Sequence, residues 1–135
     1  AYYMAEQYKQ RNLHFDLILA SGAYRTTQTA TIIREYFDNV PQLLLSPHLY
    51  NFNWKTLQDV LALIHPNIQS ILVVGHNPGI SKVSNQLSNV QLYFSTAQCV
   101  VLDINNKTTD LSFSQLLCSE NWNFLYTITP EINSI

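Results

Sequence analysis

Two short apolar runs in this sequence each end in residues that can do chemistry. The first is F-D-L-I-L-A-S-G-A-Y-R-T-T-Q-T-A, where Ser21 closes the run and Arg25 follows four residues later. The second is I-L-V-V-G-H-N-P-G, where His76 comes directly after Gly75. An arginine guanidinium stays charged and can grip two phosphate oxygens at once. If Arg25 opens a helix, the free N–H groups and positive dipole end beside it favour the same anion. His76 is a side chain able to change its charge near neutrality. Gly75 lets the backbone leave a strand tightly, Asn77 tolerates a turn, and Pro78 suits the start of a helix. The pattern fits a phosphate-holding site at two strand tips. Each residue also has an ordinary alternative: Arg25 as a surface charge pairing locally, and His76 as a turn histidine bonded to backbone.

The remaining histidines are weaker candidates. His14 precedes a strand, His48 follows Pro47 in a loop, and His65 ends a helical pattern. They are scattered, without i, i+4 pairing or nearby carboxylates, so no metal ion is expected. No phosphate-binding glycine loop, dinucleotide fingerprint or G-x-S-x-G elbow occurs, and no cofactor is expected.

The elements that would position the two tips follow from periodicity. Ala1, Met4, Ala5 and Tyr8 fall on one helical face of A-Y-Y-M-A-E-Q-Y-K-Q. Phe15 to Ser21 suits a strand buried on both faces. Ala30, Ile33 and Phe37 then make a helical stripe, with Asn39 and Pro41 marking its end. Q-L-L-L-S is a second short strand. Trp54, Leu57, Leu61 and Ile64 predict a helix stopped by Pro66, I-L-V-V a buried strand, and Ile80, Val83 and Leu87 a further helix. A-Q-C-V-V-L-D-I and W-N-F-L-Y-T-I read as strands, with N-N-K-T-T-D as a turn. Such alternation predicts a three-layer α/β/α fold with a mainly parallel sheet and an antiparallel edge strand. In open sheets of this kind, ligands sit beyond the carboxyl ends of the strands, which is where Ser21 and His76 fall.

The totals narrow the function. The chain has 135 residues, 47% of them hydrophobic, which is enough for one domain with its own core. Seven Lys and Arg against nine Asp and Glu give no basic footprint for nucleic acid. No polybasic segment or long apolar run points to a membrane. Cys99 and Cys118 make neither a disulfide framework nor a zinc spacing, and the expected compartment is the cytoplasm.

Together, S-G-A-Y-R-T-T-Q-T-A and V-V-G-H-N-P-G resemble the paired motifs of the histidine phosphatase (phosphoglycerate-mutase-like) superfamily. The Asn-Pro-Gly continuation is most similar to its SixA branch, the phosphohistidine phosphatases. The resemblance spans the chain to about Pro130. It implies a single domain over residues 1–135, with Arg25 and His76 as catalytic residues and Asn77 and Ser21 as phosphate-binding ones. Arg25 would grip the phosphoryl oxygens, and His76 would hydrogen-bond and neutralise the group in transfer. The implied partner is a histidine-phosphorylated protein of a phosphorelay or phosphotransferase system, with phosphate as product.

Two departures sharpen this expectation. The superfamily's nucleophile stands in an Arg-His motif after its first strand, and no Arg-His pair occurs in these residues. The sequence also begins in mid-helix, so the first strand and the nucleophile loop are expected upstream of Ala1. Many members carry an acidic residue that protonates the leaving group; Leu43 to Trp54 contains none, and Asp59 reads as a solvated helix residue. Imidazole, with a pKa near ~6.5, needs that help far less than an alkoxide, which favours phosphohistidine as substrate. The alternatives are a non-catalytic phosphate- or phosphoprotein-binding module and a broad small-molecule phosphomonoesterase.

Overall fold

Strand β1 (Leu17–Ala20) is apolar and buried at all four positions because it runs through the middle of a sheet. The computed structural model describes residues 2–65, 67–88, 99–104 and 122–128, the last two stretches as backbone. β1 pairs in parallel with β2 (Gln42–Leu45) on one side and with β3 (Ile71–Val74) on the other, giving the order β2-β1-β3. The Asp16 carboxylate fixes the entry to β1. It accepts the backbone N–H groups of Gln69 at 2.8 Å and Ser70 at 3.2 Å, tying the start of β1 to the residues before β3.

Alternation along β1 sends side chains to both faces. Ile18 and Ala20, with Leu72 of β3, pack against Met4, Ala5 and Tyr8 of α1 (Tyr2–Gln10) and against Ala30 and Ile33 of α2 (Tyr24–Glu35), with Phe37 just beyond it. Leu19 faces the other way, onto Leu57, Val60 and Leu61 of α3 (Trp54–Leu61) and Val83 of α4 (Gly79–Ser88). The result is the expected α/β/α sandwich. Each fully buried aliphatic side chain contributes about 1.5–3 kcal/mol, so β1 anchors both helical layers. β4 (Cys99–Ile104) and β5 (Trp122–Ile128) pair antiparallel as a two-stranded sheet of their own beside α4. The expected turn at Asn105 to Asp110 lies outside the described residues.

Two elements differ from expectation. The predicted helix from Trp54 to His65 stops at Leu61 and continues as turns, with Leu63 N–H donating to the Val60 carbonyl and Ile64 N–H to that of Leu61. The proline at position 66 disfavours helical backbone at His65, and Leu63 points into solvent. β3, expected to be buried, has only Leu72 fully covered. Among the described residues its outer edge has no strand partner.

The start of α3 is set by a reciprocal cap. The Asn53 side chain accepts from Thr56 N–H at 3.0 Å, and the Thr56 hydroxyl accepts from Asn53 N–H at 3.0 Å. Thr56 in turn donates to the Asn51 carbonyl at 2.7 Å, drawing the preceding loop down onto the helix. Asn53→Ala removes the side-chain acceptor and is expected to cost about 1 kcal/mol in a urea titration.

Candidate active site

All three parallel strands end on one side, with Ala20 opposite both Leu45 and Val74. Ser21 is one residue beyond Ala20 and His76 two beyond Val74, so the register alone brings them together. The Ser21 hydroxyl lies 2.7 Å from Nε2 of His76. Ser21 is 0% exposed. Its oxygen also lies 2.8 Å from the Thr26 hydroxyl and accepts the Ala23 N–H at 3.3 Å. Gly22 makes this fold-back possible: its φ of +88° is a conformation that side chains other than hydrogen disfavour.

α2 then opens at Tyr24 with Ala23 as its cap residue, and Ala23 supplies no side-chain oxygen. The N–H groups of the first turn thus lack a side-chain cap, which leaves an anion-binding helix end beside Ser21. Arg25 sits in this first turn, exposed, with no hydrogen bond or ion pair among the described residues. It is available to an incoming anion.

The His76 turn is held from above by Phe52, which is 6% exposed. A Cβ built on Gly75 would stand 2.9 Å from two ring carbons of Phe52, and one on Gly79 would stand 1.9 Å from the Phe52 carbonyl oxygen. The two glycines let the turn and the loop pack at van der Waals contact. Asn77 is exposed and accepts the Ser81 hydroxyl at 2.6 Å, so its side chain is bound to α4. The Asn77–Pro78 peptide is cis, and Gly79 begins α4.

A hollow of about 470 Å³ opens beside His76, lined among others by Tyr50, Trp54, Asn77, Lys82 and Gln86. Aromatic faces, amides and one cation suit a polypeptide carrying negative charge. A second hollow of about 510 Å³ lies at the opposite, amino-terminal end of the strands, around Asp16, Gln42 and Gln69. It holds no cation or histidine, and its carboxylate is already spent on backbone N–H groups.

His48 and Asp59 stand apart from this site. Asp59 accepts from Lys55 at 2.7 Å and meets Nε2 of His48 at 3.3 Å. The hydrogen bonds from Lys55 and His48 hold its carboxyl below the ordinary carboxylate value. A carboxylate stabilised in its charged form on the surface is a poor proton donor, which agrees with reading Asp59 as a solvated helix residue. His65 bonds Asn67 in the turn after α3. Among the described residues, no three His, Cys, Asp or Glu side chains gather to hold a metal, and no helix is long and apolar enough to cross a membrane.

Sequence reasoning brought out Ser21, Arg25, His76 and Asn77 but missed Thr26 and Phe52. Thr26 had a faint signal, a hydroxyl in a helix's first turn five residues after Ser21. Phe52 had none.

A three-layer α/β protein with its candidate site at the carboxyl ends of parallel strands is the class that fold and geometry define. Within that class the fold is the phosphoglycerate-mutase-like one. No family model and no curated protein matches the chain. Solved structures do. The provisionally named phosphohistidine phosphatase SixA from Agrobacterium tumefaciens aligns with a TM-score of 0.73 at 22% identity, over 96% of this chain and 77% of that one. The provisionally named phosphohistidine phosphatase SixA from Nakamurella multipartitia aligns with a TM-score of 0.73 at 20% identity, over 96% of this chain and 80% of that one.

Proposed function

We propose that these residues form the phosphoryl-binding body of a phosphohistidine phosphatase. The observation that carries the reading is the juxtaposition at the strand tips: His76 bound to Ser21, beside a helix N-terminus with no side-chain cap and with an arginine in its first turn that has no partner among the described residues. Phosphoryl transfer needs mostly positioning and stabilisation of charge, and a cationic pocket supplies both without a metal ion. The fold shared with the two SixA structures supports the same reading.

On this reading the nucleophile would be a histidine outside these 135 residues, on a strand pairing with the β3 edge that has no strand partner among the described residues. Its ring nitrogen bonds to phosphorus while the bond from phosphorus to the substrate's imidazole nitrogen breaks. Water then attacks phosphorus, releasing phosphate and restoring the histidine. The departing imidazole requires no carboxylic acid, consistent with an Asp59 tied up on the surface. The substrate is a cytoplasmic protein of a phosphorelay or phosphotransferase system, its flanking chain lying in the hollow of Tyr50, Trp54 and Lys82.

The test is hydrolysis of a phosphohistidine peptide by this chain, beside the same chain expressed with its flanking coding sequence. Turnover only in the longer form, with an Arg-His motif in the added segment, is the expected result. Phosphate binding without turnover in both would leave a non-catalytic phosphate-binding module. A preference for sugar phosphates would make the protein a broad phosphomonoesterase.

A further inference from the structure

One assignment of hydrogens satisfies every contact around Ser21 at once. Thr26 Oγ1 lies 3.0 Å from the Ala23 carbonyl oxygen, which can only accept, so the single Thr26 hydroxyl hydrogen is given there. In the 2.8 Å contact between the two hydroxyls, Thr26 must therefore accept and Ser21 must donate. Ser21 has then spent its only hydrogen, and in the 2.7 Å contact with His76 its oxygen can only accept. Nε2 of His76 must be the donor. The second lone pair of Ser21 takes the Ala23 N–H at 3.3 Å, which completes its capacity of one donor and two acceptors.

We infer that Ser21 and Thr26 are positioning residues that lock His76 as the Nε2–H tautomer, making Nδ1 the atom that meets the phosphoryl group. The inference about Nδ1 rests on the proposed function; the tautomer does not. Nδ1 has no hydrogen-bond partner among the described residues. In the neutral ring it carries a lone pair, which repels a phosphoryl oxygen. In the protonated ring it carries the second N–H and donates to one. The relay thus couples holding of the anion to uptake of a proton at one named atom. Ser21 acts on phosphate through His76: its own hydroxyl is fully buried and has no hydrogen left to give.

The test is heteronuclear NMR of the chain uniformly labelled with nitrogen-15, which reports the histidine rings and the Arg25 amide together. With the ring neutral, wild type is expected to show a protonated Nε2 and a bare Nδ1 at His76. Thr26→Val keeps the side chain's shape but removes Ser21's acceptor, freeing the Ser21 hydrogen for Nε2. The tautomer ratio is expected to move about tenfold toward Nδ1–H, the equilibrium worth of one hydrogen bond. Thr26→Ser should restore the wild-type ratio. A wild-type ring protonated at Nδ1 overturns the inference without any variant, as does an unchanged ratio in a folded Thr26→Val protein. Added inorganic phosphate should then move the Nδ1 signal more than Nε2. If phosphate shifts the Arg25 amide but moves only Nε2, the assignment of Nδ1 is wrong while the phosphatase reading stands. If phosphate perturbs neither residue, the phosphatase reading fails and the inference about Nδ1 falls with it.

Discussion

Gly79→Ala is expected to destabilise the protein by about 3 kcal/mol, the upper end of what overpacking costs. Helix propensity alone predicts the reverse, because alanine is better than glycine by about 1 kcal/mol inside a helix. Geometry decides the sign. The new Cβ would stand 1.9 Å from the carbonyl oxygen and 3.1 Å from the Cβ of Phe52. That backbone is poorly placed to yield. It lies between the 3-10 turn Pro47–Tyr50 and the Asn53–Thr56 cap of α3, and the Phe52 ring is buried against Leu19 and Leu57. Relief must come from displacing the His76 turn, so the variant should also alter the His76 ring signals in NMR. The loss is a large part of the 5–15 kcal/mol that keeps a small domain folded. A urea midpoint equivalent to less than about 0.5 kcal/mol of change would show that the loop and the turn are not held in this contact.

The strand tips were legible because each carries a local signal: a short apolar run, then a residue that chemistry can use, then glycine or proline. Ala30, Ile33 and Phe37 were legible in the same way, as a stripe at helical spacing that the structure buries against α1 and the sheet. What the sequence left obscure is what depends on distant partners. I-L-V-V has the composition of a strand covered on every side, yet only Leu72 is fully covered, since composition does not say which strands flank it. The Ser21–His76 bond joins residues 55 apart, and its direction depends on Thr26, whose side chain carries no periodic signature. Phe52 covers Gly75 and Gly79 from a loop flanked by asparagines, and nothing local marks it as a lid on the turn. The early end of α3 is a boundary effect: the proline at position 66 disfavours helical backbone at His65, but it does not mark where before that the helix gives way to turns. Ser21 illustrates both sides: its place at the strand tip was readable, but its burial and its bond to His76 were not.

The second large effect, under the proposed phosphatase reading, concerns Arg25 and His76 in the chain expressed with its flanking coding sequence. Arg25→Ala is expected to lower kcat for a phosphohistidine peptide by about 10²–10³-fold, as loss of one preorganised donor to a transition-state oxygen does. Little stability should be lost, because Arg25 is exposed and makes no bond among the described residues. Arg25→Lys keeps the charge but gives up the two-pronged grip on phosphoryl oxygens, so it should recover only part of the rate. His76 requires a different choice, since His76→Ala would also leave Ser21 with an empty acceptor position in a buried site. His76→Gln retains an amide able to donate to Ser21 but cannot take up the proton that makes the ring a cation. Its expected signature is a normal unfolding midpoint with kcat reduced by the same order as in Arg25→Ala. If either folded variant keeps most of the wild-type rate, the cationic pocket at the strand tips is not where the transferring phosphoryl group is held. If both lose turnover yet bind inorganic phosphate as wild type does, their charge acts mainly on the transition state and little on the resting anion, the partition that rate acceleration requires.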